Sequence, residues 1–231
     1  TASYNTAVGY RAAFNVSTGV KNTAIGTNSL YSSSTTNGNV AVGESSVYGN
    51  TGGFNIGVGN STLRGAGAGE KNIAIGDSAL RDNTSGSNQV AIGYQSLTDN
   101  LTGTRNTAVG HITLSLSQTT NDNTVMGYLA GRYTVGGSNT ALGAYAMSAG
   151  SGSGNSAASN VAVGKEALEA VTTGSYNVAL GAEAGERVTT ATEGVYIGFQ
   201  AANYTQGGID NTAVGTQSLY DNVSGEKNVA V

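Results

Sequence analysis

The 231-residue chain has no cysteine, no proline and no tryptophan, and only 10% of it is charged. Each shortage excludes a class of explanation. Without cysteine there is no disulfide framework, no thiolate nucleophile and no cysteine-held zinc. Without proline no backbone N–H is missing anywhere, so every residue can donate to a hydrogen-bond ladder. Ordinary soluble domains carry about 25% charged residues. The shortage here, with a net charge of −4, leaves no cluster of Lys and Arg to meet phosphates, which argues against nucleic acid as a partner. No apolar run approaches the ~20 residues of a membrane-spanning helix. Aromatics are 6%, too few for a core of bulky rings.

What the chain does have is glycine, 36 residues of it, with much Asn, Ser, Thr and Ala. Their order rejects disorder. The string Asn-x-Ala-(Val/Ile/Leu)-Gly starts at 5, 22, 39, 55, 72, 89, 106, 123, 139, 160, 177, 194, 211 and 228. The period is 17 residues, with two copies shortened by one and an enlarged copy at 139–159. A fixed internal period is the signature of a stacked-repeat architecture.

The columns of the repeat carry the physics. The fifth is glycine throughout: Gly9, Gly26, Gly43, Gly59, Gly76, Gly93, Gly110, Gly127, Gly143, Gly164, Gly181, Gly198 and Gly215. The second is β-branched, the fourth aliphatic or Met, and the third Ala apart from Gly57, Val125 and Tyr196. Such alternation closed by glycine predicts a short strand ending in a bend. A small residue then precedes an aliphatic ninth position (Leu30, Val47, Leu63, Leu80, Leu97), and a second glycine falls near the fifteenth. Each copy therefore predicts strand, bend, second short strand and turn, one coil of an all-β parallel β-solenoid. One coil cannot bury its own apolar stripe, but copies stacked about 4.8 Å apart pair like with like. Asn heads twelve of the fourteen copies, as expected of a ladder of hydrogen-bonded amides. Lys165–Val171 would pass as helix in isolation, yet it shares columns with Asp77–Leu80, so the repeat overrides local propensity.

Units such as Asn22-Thr23-Ala24-Ile25-Gly26 and Asn106-Thr107-Ala108-Val109-Gly110 resemble the head repeats of trimeric autotransporter adhesins and the repeats of phage tail fibres. The resemblance spans essentially the whole chain, although the 17-residue unit is longer than the head repeat. It implies a left-handed β-roll, three chains about a common axis, and an extracellular place on a virion tail or bacterial surface. The residues argue for association independently. Alternation puts Asn, Ala and Gly on one strand face and the β-branched columns on the other. Whichever face lines the coil, a long apolar or Ala/Gly surface is left over, and such surfaces mark interfaces. The chain opens half a turn before a motif and stops at Val231, short of the next glycine, which reads as a section of a longer fibre.

Chemistry is sparse. His111 is the one histidine, placed just after the Gly110 bend, and no second histidine or cysteine completes a triad or zinc site. Glu166 stacks on Glu183 and Glu169 on Glu186, beside Lys165 and Arg187. That is a solvated charge strip, with a calcium or magnesium ion as its functional alternative. Gly65–Lys71 lacks the Gly-Lys-Ser/Thr ending of a phosphate loop. Thr6, Thr23, Thr107, Thr124, Thr140 and Thr212 form a column like that of ice-binding solenoids, but Val and Ile interrupt it. Asn15, Asn100 and Asn222 match glycosylation acceptors, as a chain of this composition does by chance. The tenth column holds Phe14, Tyr31 and Tyr48, then Arg64 and Arg81, the residue types that bind sugar rings and their acidic substituents. The enlarged coil, Ala144 to Ser159, is the other place for a binding loop. No catalytic, cofactor or metal residue is assigned. The expected function is a non-enzymatic structural or adhesive segment of a homotrimeric fibre that contacts a surface glycan or protein receptor. The alternative is a monomeric ligand- or ice-binding solenoid.

Overall fold

The computed structural model describes residues 1–65, 67–148 and 156–231, so the tip of the enlarged coil lies outside the described residues. The chain forms two units, Thr1–Thr119 and Thr120–Val231. The first holds β1 (Thr6–Val8), β2 (Thr23–Ile25), β3 (Val40–Val42), β4 (Ile56–Val58), β5 (Ile73–Ile75), β6 (Val90–Ile92) and β7 (Thr107–Val109). The second holds β8 (Thr124–Met126), β9 (Thr140–Leu142), β10 (Val161–Val163), β11 (Val178–Leu180), β12 (Val195–Ile197), β13 (Thr212–Val214) and β14 (Val229–Ala230). No helix occurs among the described residues.

Within each unit consecutive strands pair in parallel, one coil apart. Ile73 lies against Val90, Ala74 against Ala91 and Ile75 against Ile92. The enlarged coil keeps this register, with Thr140 against Val161. Each unit is thus a parallel β-solenoid whose sheet is built from equivalent residues of successive copies.

The structure settles which strand face lines the coil. The middle residue is buried in β2 to β13, whereas its two neighbours are half-buried or exposed. The interior is narrow: Ala24, Ala41, Ala74 and Ala91 on the strand side, with Leu30, Val47, Leu63, Leu80 and Leu97 opposite, all fully shielded or within 1% of it. The β-branched columns therefore point outward.

Asn at the head of twelve of the fourteen strands is a clamp. Asn72 Oδ1 accepts the Gln89 backbone N–H of the next coil at 3.0 Å, and its Nδ2 donates to the Gly86 carbonyl of its own coil at 2.9 Å. Asn160 does the same with the Asn177 N–H (2.9 Å) and the Gly174 carbonyl (3.0 Å). The side-chain amide imitates a peptide group, closing its own coil and supplying one rung of the inter-coil ladder. A buried N–H and a buried carbonyl would otherwise go unmet, at about 1–3 kcal/mol each.

The second strand expected in each copy does not form. Each coil has a single short strand, and the seventh and ninth residues adopt positive φ instead, 54° and 51° at Asn28 and Leu30, 56° and 51° at Ser78 and Leu80. This reverses the hydrogen-bonding direction along the segment. Asn28 N–H donates back to the Tyr10 carbonyl (2.9 Å), while Leu30 and Ser32 N–H donate forward to Ser46 (2.9 Å) and Tyr48 (2.8 Å). The left-handed region costs an L-residue roughly 1–2 kcal/mol. Burying a leucine side chain contributes about 1.5–3 kcal/mol, so placing Leu inside offsets the strain. Tertiary packing wins over local preference here.

Candidate functional surface

The outward columns make a coherent surface. On the fourth, Ile25, Ile75, Leu180 and Ile197 are 36–40% exposed and Met126 is 48% exposed. Neither the second nor the fourth column contains a charged residue in any copy. The fourth stands prouder than the second, where most strand residues are half-buried. Each unit therefore presents an uncharged ridge with the period of the sheet, of Val and Ile in the first and of Val, Ile, Leu and Met in the second.

The tenth column forms a stacked ladder. Phe14 and Tyr31 have ring centroids 5.4 Å apart, Tyr31 and Tyr48 5.0 Å, each pair within 4° of parallel. Adjacent coils place the three rings almost one pitch apart. Arg11 joins them from the seventh column, 5.6 Å from the Phe14 ring, 6.0 Å from Tyr31 and 5.1 Å from Tyr10. Stacking spends ring faces on one another and leaves ring edges and the Arg11 guanidinium toward solvent. Arg81 is committed elsewhere. It donates to both Asp82 carboxylate oxygens, at 3.0 and 2.6 Å, and lies 3.6 Å from Asp99. The Asp82 hydrogen bond raises the Arg81 pKa, and burial, then the Asp82 charge, pushes the Asp99 carboxyl up. Arg64 is exposed, with no ion-pair partner among the described residues.

In the second unit the aligned acids are engaged by amides and cations. Gln200 Nε2 donates to Glu183 Oε2 at 2.7 Å, and Gln217 continues that column onto Gln200 at 2.8 Å. Asn203 Nδ2 reaches Glu186 Oε2 at 2.9 Å, and Lys165 lies 3.0 Å from Glu166. Arg187 packs 4.3 Å from the Tyr204 ring, itself 5.1 Å from Tyr220. No group of three or more His, Asp or Glu side chains able to hold a metal ion occurs among the described residues. His111 stacks on Tyr94 at 5.0 Å.

Glu169 gives the strip a pH signature. Burial, then the charges of Glu166 and Glu186, raise its pKa. The folded chain binds that proton more tightly than the unfolded chain does, so ionisation opposes folding. The penalty is complete above the raised pKa and is relieved as pH falls through it toward the ordinary value of about 4.3. Glu169→Gln should raise the melting temperature at neutral pH, and the gap from the parent should close on acidification. Thermal melts of both proteins across that range check this; a gap independent of pH counts against it.

Sequence reading put the tenth-column aromatics in one column, where the rings stack, but missed Arg11, because the turn that brings it there is invisible in a period-2 pattern. It also missed the Tyr204–Tyr220 pair, whose members sit in different columns. Residues 149–155 of the enlarged coil, within the binding loop expected over Ala144 to Ser159, lie outside the described residues. No family model, characterised protein or solved structure matches the chain.

Proposed function

We propose that the chain is a non-enzymatic segment of an extracellular homotrimeric fibre, a tail fibre or surface adhesin, that holds and presents receptor-contacting surfaces to a host. The supporting observation is the uncharged outward ridge of the fourth column. Its natural occupant is a second and third copy of this chain, because another copy has the same coil spacing and meets the ridge layer by layer. The resemblance of the Asn-x-Ala-(Val/Ile)-Gly repeats supplies the number three. The edges of the Phe14–Tyr31–Tyr48 ladder, with Arg11 and Arg64, are the receptor face, suited to a glycan bearing acidic groups. Rows of identical contacts compensate weak individual ones by multivalency.

The mass in solution tests this directly. A threefold mass that falls to a single chain on Ile25→Glu/Ile75→Glu supports the fibre. A single-chain mass for the parent refutes it and favours a monomeric ligand- or ice-binding solenoid. On a glycan array, Tyr31→Ala and Arg64→Ala should each weaken binding, and unchanged binding removes the receptor assignment.

A further inference from the structure

We propose that Tyr31 and Tyr48 form an oxidative cross-linking site, at which one-electron oxidation joins two neighbouring coils by a dityrosine bond. The chain has 12 tyrosines and no cysteine, so a disulfide staple is excluded and phenol coupling is the oxidative route its composition favours. Tyr31 and Tyr48 are held face to face, with centroids 5.0 Å apart and planes within 4°. Two further tyrosine pairs are turned away from this geometry: Tyr128 and Tyr145 meet edge-on at 78°, and Tyr204 and Tyr220 are tilted by 59°. Parallel rings in the same column of adjacent coils hold the two phenols side by side, and phenoxyl radicals couple through the ring carbons ortho to the hydroxyl. The backbone holds that register through the Ser32 N–H bond to the Tyr48 carbonyl at 2.8 Å. Both rings are half-buried, so an oxidant reaches their edges while their motion stays limited. Phe14, which closes one end of the ladder, has no phenol and cannot extend the coupling.

The co-reactant is a haem peroxidase with hydrogen peroxide. Each phenol loses one electron and one proton, giving two phenoxyl radicals. A carbon–carbon bond forms between the ortho positions, and the two displaced ring hydrogens move to the oxygens as aromaticity returns. The product has two hydrogen atoms fewer than the parent, and one peroxide is reduced to two waters. The bond closes a loop of one repeat and ties two coils together.

The whole chain is treated with peroxidase and peroxide, then digested and mapped by mass spectrometry. The expected result is dityrosine fluorescence and a peptide pair linked through Tyr31 and Tyr48, lighter by two hydrogens. Linked protein should melt at a higher temperature than untreated protein. Tyr31→Phe keeps the ring stack and removes the phenol, so it should fold as the parent does and lose the cross-link. The proposal is overturned if cross-links map chiefly to other tyrosines, if Tyr31→Phe leaves the yield unchanged, if the link joins separate chains, or if no dityrosine forms.

Discussion

Gly76→Ala is expected to abolish cooperative folding of the Thr1–Thr119 unit at ambient temperature. Gly76 has φ +123°, outside both regions that L-residues readily occupy, and a Cβ there would lie 2.6 Å from the Gly93 carbonyl carbon and oxygen. Those atoms belong to backbone, and Gly93 N–H is bonded to the Ile75 carbonyl at 2.7 Å, so the neighbour cannot swing aside as a side chain would. Conformational strain contributes roughly 1–3 kcal/mol. Overlap with a fixed backbone brings the total to on the order of 5 kcal/mol, at the extreme of single-substitution effects. Asn60→Ala, on the exposed column directly after Gly59, should stay within about 0.5 kcal/mol of the parent. Denaturant unfolding followed by circular dichroism measures both. A small cost for Gly76→Ala would mean that successive glycine bends are not in contact.

That contact explains why so much of the fold could be read from letters alone. A solenoid converts sequence period into spatial neighbourhood, so residues 17 apart become partners whatever their local propensity. Lys165–Val171 follows the other copies in its columns, so no helix forms there, although those columns make a turn segment rather than the second strand expected of them. The Asn and glycine columns were legible for the same reason. Their chemistry repeats in nearly every coil, and a stacked amide or a missing Cβ accounts for it.

What could not be read were signs and directions. Alternation defines two strand faces but not which is inside, because Ala is small enough for either place. The interior turned out to be narrow, and the ninth-column Leu side chains already fill it, so Val and Ile were displaced outward. The ninth-column backbone was misread because positive φ normally announces itself through Gly or Asn, whereas here Leu30, Leu80 and Leu97 adopt it. Arg11 was overlooked for a related reason. A residue in that turn segment reaches sideways to the tenth column, a direction that no strand pattern encodes.

The irregular coils show that the narrow interior is governed by volume, and they give the second large expected effect. Tyr196 stands where most other strands have Ala, and it is fully buried. Its space comes from three small residues. Gly194 replaces the clamp Asn, and a Cβ there would collide with the Tyr196 hydroxyl. Gly185 replaces a ninth-column Leu, and a Cβ there would lie 2.9 Å from the Tyr196 ring; Ala202 replaces the ninth-column Leu of the next coil. The hydroxyl has no hydrogen-bond partner among the described residues, and burial pushes its pKa up to about 12. Gly57 shows the converse, since a Cβ there would crowd Ser46, Val47 and Thr62 within 2.5–2.8 Å.

Tyr196→Ala should therefore destabilise the second unit by about 3–5 kcal/mol, the usual cost of emptying an aromatic site. Tyr196→Phe keeps the ring and sheds an unmet polar group, so it should stabilise by about 1 kcal/mol. Gly194→Asn should be strongly destabilising beside Tyr196, because the new side chain lands on the phenol. Combined with Tyr196→Ala, the same change should stabilise, since the amide can bridge the Asn177 and Asn211 rungs as in regular coils. Adding Ala202→Leu fills the remaining space, and the triple variant should return close to the parent. Chemical unfolding of the single, double and triple variants reads this as a reversal of sign in the coupling between positions 194 and 196. Additive effects would mean that the ring and the missing clamp are unrelated. A reversal would show that the solenoid tolerates any interior whose facing columns sum to the same volume, and that its outward ridge can stay uniform while the inside varies.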